Sequence, residues 1–276
     1  MILKYPINIK DHFLTNESFE LHWDEARTVG ATQGVDLKQL HLYYKSENYL
    51  SHQKDRSDLK ALLYKIAQRT MLRYKTQKLS PYLSKRAKVL DYGCGVGAFL
   101  AYLSQKGFHV QGVEPNPSAR KIAQEQGISV SQSLPEAGTY DMITLWHVLE
   151  HIPDPKEALR SFYKYLTPKG TLVLALPNPT SWDAQHYAAY WAGWDVPRHL
   201  WHFTPEGIQK MAASTGFILE KQHPLWLDAF YVSLLSECYQ NKKAPWLGAI
   251  YKGFLSNLRA MKTGQFSSLI YVFKKS

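Results

Sequence analysis

The feature that most constrains this chain is a strand signal that runs directly into a glycine turn and then a helix signal. It reads Val89-Leu-Asp91-Tyr-Gly93-Cys-Gly95-Val-Gly97, preceded by the apolar run from Ala87 and followed by helix formers from Ala98 to Lys106. Glycines allow a tight turn and let a ligand approach the backbone with no Cβ in the way. The helix that follows offers free N–H groups. The next apolar run, His109–Val113, ends at Glu114, 23 residues after Asp91. A carboxylate there lies beside the turn and can accept two hydrogen bonds from a ribose diol, the logic of nucleotide-binding α/β folds at the carboxyl ends of their strands. The spacing is G-x-G-x-G, not the G-x-G-x-x-G of a pyrophosphate-binding turn, which disfavours a dinucleotide ligand.

The alternation continues downstream. Asn116 and Pro117 open a helix that Gly127 stops, and a short strand lies near Ile128–Val130. Tyr140–Trp146 reads as a fourth strand. Asp154, Pro155 and Glu157 form a helix start of capping-box type. Thr171–Leu176 is continuously apolar, as a central buried strand should be. Thr204 caps a helix from Pro205 to Ser214, and Phe217–Gln222 and Ser268–Phe273 are the last strand candidates. Alternating strands and helices predict an α/β fold: a mostly parallel sheet with helices on both faces. Residues 1–86 read as an N-terminal cap region with a helical stretch near Leu59–Lys78. Residues 87–276 read as the main domain, with an aromatic insertion at 177–203 and a largely helical one at 225–266.

Cys94 and Cys238 are the two cysteines of the chain. A disulfide framework and a four-cysteine zinc site are therefore excluded, and a reducing cytoplasm is expected. No signal peptide or membrane-spanning run is read from the sequence. The net charge of +10 is concentrated in the flanks: residues 87–176 balance at 8 Lys/Arg against 8 Asp/Glu, whereas residues 1–86 carry 15 against 9. Such a bias attracts anions, or is simply a solvated basic surface.

Together, Val89–Gly97, Gly112-Val-Glu114-Pro115 and Trp146-His147-Val-Leu-Glu150-His151-Ile-Pro-Asp-Pro155 resemble the core of class I methyltransferases dependent on S-adenosylmethionine (SAM), and within them the bacterial small-molecule methyltransferases. The resemblance implies a Rossmann-like seven-stranded sheet whose last strand is antiparallel and inserted beside the fifth. It implies SAM as cofactor, with S-adenosylhomocysteine as product, and a small-molecule acceptor such as a lipid, quinone precursor or sugar, methylated on oxygen or nitrogen. It puts Gly93, Gly95 and Gly97 around the methionine and ribose, Glu114 on the ribose, Ser133 and Leu134 at the adenine, and Trp146 and His147 beside the methionine moiety. It extends to Tyr49 and His52 as further cofactor contacts. It also likens the front piece, Asp11–Thr15 and Phe19–Leu21, to the strands of a zinc ribbon without its cysteines.

Two groups of residues lie on the expected acceptor side. His147 and His151 are four apart with Glu150 between them, which on a helix would put both imidazoles on one face. As a metal pair they would need a third ligand, and none is evident nearby, so no metal is expected. The segment Trp182–Phe203 carries four Trp and three His. Its aromatics either stack a flat acceptor and shield the methyl cation or form a satellite core. His151, Trp191, Trp194, Asp195, Arg198 and Trp201 are the acceptor-side candidates. His147, His199 and His202 are candidates for accepting the proton, since neutral histidine is available near pH 7. The basic, apolar stretch 225–266 suits a core, a dimer interface or, less well, a membrane surface. Monomer and homodimer both stay open. An RNA or protein methyltransferase and a SAM-binding protein without turnover are the rival readings; no nucleic-acid-binding module or Asn-Pro-Pro-Tyr motif supports the former.

Overall fold

The computed structural model describes residues 7–44, 58–136, 139–243 and 245–276, with backbone alone for 58–64. The chain begins with three short strands, β1 (Asn8–Lys10), β2 (Ser18–Trp23) and β3 (Val29–Thr32), joined antiparallel. Helix α1 (Asp58–Leu79) leads into the alternating region: β4 (Lys88–Tyr92), α2 (Ala98–Ser104), β5 (His109–Val113), α3 (Pro117–Glu125), β6 (Val130–Ser131), β7 (Tyr140–Trp146), α4 (Pro155–Tyr165) and β8 (Leu166–Pro177). Then follow α5 (Trp182–Tyr187), β9 (Trp201–Phe203), α6 (Pro205–Ala213), β10 (Phe217–Pro224), α7 (Asp228–Tyr239), α8 (Pro245–Thr263) and β11 (Ser268–Lys275).

The main sheet has the order β10-β11-β8-β7-β4-β5-β6. Strands β4 to β8 pair in parallel, and β11 pairs antiparallel with both β8 and β10. This is the expected seven-stranded sheet with its inserted antiparallel last strand. The helix starts follow the local chemistry. The Asn116 side chain accepts from the N–H groups of Ser118 and Ala119, Asp154 from Glu157, and Thr204 from Gly207, each with proline in the first turn. Each cap satisfies donors that the helix leaves open. Val173, Leu174 and Ala175 of β8 are fully buried because both sheet faces are covered. One face packs on Leu159, Phe162 and Ile208, the other on Leu79, Phe99 and Leu103. Burying a leucine of this kind contributes about 2 kcal/mol.

The front piece departs from expectation. Residues Asp11–Thr15 are a turn, not a strand. The Asp11 carboxylate accepts from the backbone N–H groups of Phe13, Leu14 and Thr15 and from the Thr15 hydroxyl, which closes the turn locally in competition with strand geometry. The front strands also recruit β9 from the aromatic insertion, giving a second sheet of order β1-β2-β3-β9. Helices α7 and α8 pack tightly: a Cβ on Gly253 would sit 2.7 Å from Phe230. The outer face of α8 turns Trp246, Ile250, Tyr251, Phe254 and Met261 to solvent. No helix among the described residues is long and apolar enough to cross a membrane.

Candidate active site

In the main sheet the chain leaves β4 towards β5 on one side, while β7 lies on the other. The carboxyl ends of β4 and β7 therefore border the crevice where open α/β sheets bind ligands. The glycine turn after β4 and the Trp146–His147 corner after β7 both stand there.

The three glycines answer to different demands. A Cβ on Gly93 would lie 2.5 Å from Val148, and one on Gly97 would lie 2.9 Å from the Ala123 Cβ, so these two are required by packing. Gly95, at φ +54°, has nothing within 4 Å of its would-be Cβ and faces open space. Glu114 reaches over this turn: its Oε2 accepts from Gly95 N and its Oε1 from Asn116 N, both at 2.8 Å. The carboxylate is thereby fixed in orientation while keeping further lone pairs for a ligand diol. Ser133 and Leu134 follow β6 as expected, the first exposed and the second half-buried. Tyr49 and His52 lie outside the described residues.

Beneath the turn, Asp91 is buried and accepts from the Thr144 hydroxyl at 2.6 Å. Burial raises its pKa to about 7, against the Thr144 bond and the Lys75 ammonium, which lower it. Burial also lowers Lys75, against the pull of Asp228 and Asp91. The Lys75 ammonium stands 3.9 Å from the Trp146 ring centre, and Phe99 packs edge-on to the same indole. The Trp146 Nε1 is buried without a hydrogen-bond partner. Lys75 and Asp228 were not legible as site residues, since each is a lone charge on a helix with no motif around it.

His147 sits in the left-handed region, φ +56°. Its Nε2 lies 3.1 Å from Asp228 Oδ2, and its Nδ1 stands 3.5 Å from Glu150 Oε1. Burial opposes the charged form, but the two carboxylates outweigh it and push the pKa up to about 9. His147 therefore carries a proton at neutral pH. His151 belongs to the short 3-10 turn Leu149–His151 and takes a different partner, the Arg198 carbonyl. The two do not share a helical face, because the chain leaves β7 through a left-handed corner and not through an α-helix.

The other two histidines are enclosed. His199 Nδ1 lies 3.0 Å from the Gly193 carbonyl, and burial lowers its pKa to about 4. His202 Nε2 lies 3.0 Å from the Thr32 hydroxyl, which itself donates to the His199 carbonyl; burial takes this imidazole well below its ordinary value. Of the three candidate bases, His147 is the one with appreciable side-chain exposure, 34% against 9% for His199.

The acceptor-side candidates divide sharply. Trp191 and Trp194 are 2% and 1% exposed and pack edge-on against each other in a core with Ile9, Phe19 and Leu21. Their indole N–H groups donate to Asp183 and to the Ala188 carbonyl, so neither ring presents a face to the crevice. Arg198 is equally enclosed. Its guanidinium donates to Asp195 Oδ1 at 2.7 and 3.0 Å and to Asp11 Oδ1 at 2.9 Å, pinning the front turn to the insertion. Trp201 is half-buried and donates to the Ile152 carbonyl. His151 Nδ1 lies 2.8 Å from the Arg198 carbonyl and 3.0 Å from the Tyr44 hydroxyl. A separate groove of about 820 Å³ opens between the front turn and the end of α7, lined by His12, Tyr190 and Tyr239, away from the glycine turn.

Known proteins resemble the chain at two levels. A family model described as a methyltransferase domain matches residues 64–222. A ubiquinone biosynthesis O-methyltransferase of Actinobacillus pleuropneumoniae is 34% identical over 125 residues, 40% of this chain and 53% of that protein. One from Aeromonas salmonicida is 28% identical over 162 residues, 52% of this chain and 67% of that protein. The chain spans about half the length of the first of these relatives. Among solved structures, magnesium protoporphyrin IX methyltransferase from Synechocystis with bound S-adenosylhomocysteine superposes with a TM-score of 0.58 at 14% identity, covering 87% of this chain and all of that one. Coclaurine N-methyltransferase gives 0.53 at 16% identity, covering 76% and 73%. These likenesses establish a shared fold.

Proposed function

The chain belongs to the methyltransferase-domain family, and from that premise we propose that it transfers a methyl group from SAM to a small-molecule acceptor, by O-methylation of a phenolic quinone precursor. The observation that carries this reading is the pairing of Glu114 with the open position at Gly95. A carboxylate held by two backbone N–H groups beside an uncovered glycine suits a ribose diol. The balanced charge of the core and the absence of a phosphate-binding spacing suit a nucleoside without phosphates. The names of the similar ubiquinone biosynthesis O-methyltransferases support the quinone-precursor class. Two cysteines with no disulfide framework support a cytoplasmic setting.

The residues at the crevice would bind SAM by its ribose at Glu114, its methionine portion near Gly95 and Trp146, and its adenine near Ser133 and Leu134. Methyl transfer is an in-line displacement that needs alignment and the removal of one proton. A protonated His147 cannot take that proton, so the phenol releases it to water and the imidazolium favours the resulting phenolate. Its Nδ1–H, held only loosely by Glu150 at 3.5 Å, is the donor free to turn to that oxygen, while Asp228 keeps the imidazolium charged. Stabilising a developing oxyanion by a fixed donor contributes substantially to such reactions. Incubating the protein with radiolabelled SAM and a panel of catechols, phenols and amines tests this. Label transfer to a phenolic oxygen is expected, with loss in His147→Gln. Transfer to amines alone, or to RNA or protein, would replace the reading.

A further inference from the structure

His147 is engaged by Asp228 and is no partner for a metal pair with His151, but the fold brings His151 and its neighbour Glu150 to a histidine from a distant segment. We propose that Glu150, His151 and His199 form a binding site for one divalent transition-metal ion of zinc's class, joining the turn after β7 to the aromatic insertion. Glu150 and His151 lie on the turn Leu149–His151, and His199 comes from the insertion, held to this turn where Leu200 N donates to the Glu150 carbonyl at 2.9 Å. One ligating atom from each residue lies within 4.8 Å of the other two.

Three independent observations point to a ligand. The Glu150 side chain is 1% exposed, and both carboxylate oxygens are buried without a hydrogen-bond partner. A buried carboxylate in that condition is costly unless something compensates it. The positive charge it meets comes from the His147 imidazolium at 3.5 Å, with His199 Nε2 at 3.9 Å, and neither closes to a full hydrogen bond. Arg198, the strong cation nearby, is already engaged by Asp11 and Asp195.

The two imidazoles are also set as metal ligands usually are. His151 Nδ1 faces the Arg198 carbonyl at 2.8 Å, and His199 Nδ1 faces the Gly193 carbonyl at 3.0 Å. A backbone carbonyl on Nδ1 fixes the tautomer with the proton there and leaves the Nε2 lone pair for an ion. The rings meet edge-to-face, 4.7 Å between centres. Finally, a small, partly open cavity of about 10 Å³ borders Glu150 and His199, though not His151, room for one small ion or one water.

The donor set selects the ion. Two imidazoles and one carboxylate suit Zn²⁺ and its neighbours, whereas Mg²⁺ and Ca²⁺ prefer oxygen ligands. Asp195 Oδ2 stands 3.9 Å from His199 Nε2, at the edge of the three-residue cluster and outside it, with its Oδ1 taken by Arg198. An ion here would lock the insertion onto the end of β7 and position the acceptor side of the crevice. The inference does not depend on which acceptor, if any, is methylated.

Calorimetric titration of chelator-treated, desalted full-length protein with ZnCl₂, paired with visible spectra of the Co²⁺-loaded form, tests it. One equivalent should bind, with absorption bands of a tetrahedral cobalt site and a raised melting temperature. Glu150→Gln and His199→Gln should each weaken binding by at least about 100-fold, while His22→Gln, an exposed histidine outside the cluster, should leave it unchanged. Circular dichroism of each variant separates loss of a ligand from loss of fold, and the cobalt spectrum of the wild type stands without any variant. Absence of stoichiometric binding to the wild type, or binding equally tight in both folded variants, would overturn the proposal.

Discussion

Replacing Arg198 by methionine separates the two roles open to this residue. It is 2% exposed and ties Asp11, at the front turn, to Asp195 in the insertion. Methionine keeps much of the volume but leaves Asp11 buried without its cation. Breaking a buried ion pair from one side costs on the order of 3–5 kcal/mol. Asp11 retains four local donors from Phe13, Leu14 and Thr15, so the expected loss is about 3 kcal/mol, read from urea unfolding at pH 7. The pH dependence gives a second check. Burial raises the Asp11 pKa, but the Arg198 and Thr15 interactions outweigh it and hold the carboxyl below its ordinary 3.8. A depressed carboxylate contributes stability that is present above the unfolded pKa and lost as pH falls through the folded value. The gap between wild type and variant should therefore narrow on acidification below about pH 4. A loss under about 1 kcal/mol, or an unaltered stability with a raised acceptor KM, would refute this account and return Arg198 to the acceptor side.

Three further outcomes follow from the crevice. Gly93→Ala places a Cβ 2.5 Å from Val148 at φ +75°, so melting should show a loss of about 2–4 kcal/mol from overpacking and left-handed strain; Val148→Ala in the same chain should recover part of it. Glu114→Ala removes a charged acceptor, and affinity for S-adenosylhomocysteine should fall by about 10- to 100-fold, the equivalent of 1.5–3 kcal/mol; unchanged affinity would remove the ribose role. Asp91, with its pKa raised from 3.8 to about 7, binds its proton more tightly folded than unfolded. The ligand-free protein should accordingly lose stability as pH rises from about 4 to 7, by a few kcal/mol, and Asp91→Asn should flatten that slope in denaturant titrations across pH.

The sheet was legible because its strands are unusually plain. Thr171–Leu176 is apolar throughout, as burial on both faces demands, and Asn116, Asp154 and Thr204 announce helix starts by side-chain chemistry that acts within three residues. What escaped depends on contacts between distant segments. Nothing in Val29–Thr32 declares that its sheet partner is Trp201–Phe203. The composition of Trp182–Phe203 is the same whether its rings stack a ligand or each other, and only the packing of Trp191 on Trp194 decides for the core. The apparent histidine pair at 147 and 151 was misleading for a local reason, the left-handed corner at His147. The proximity of His151 and His199 is a product of the tertiary fold.

The most direct test of the central claim is calorimetric binding of S-adenosylhomocysteine to the wild-type protein and to Gly95→Trp, whose side chain would fill the open face of the turn. Micromolar binding to the wild type, abolished in a variant that still shows a folded circular dichroism spectrum, is the predicted result. No binding to folded wild-type protein, or binding that the tryptophan leaves untouched, would contradict a SAM site at the glycine turn.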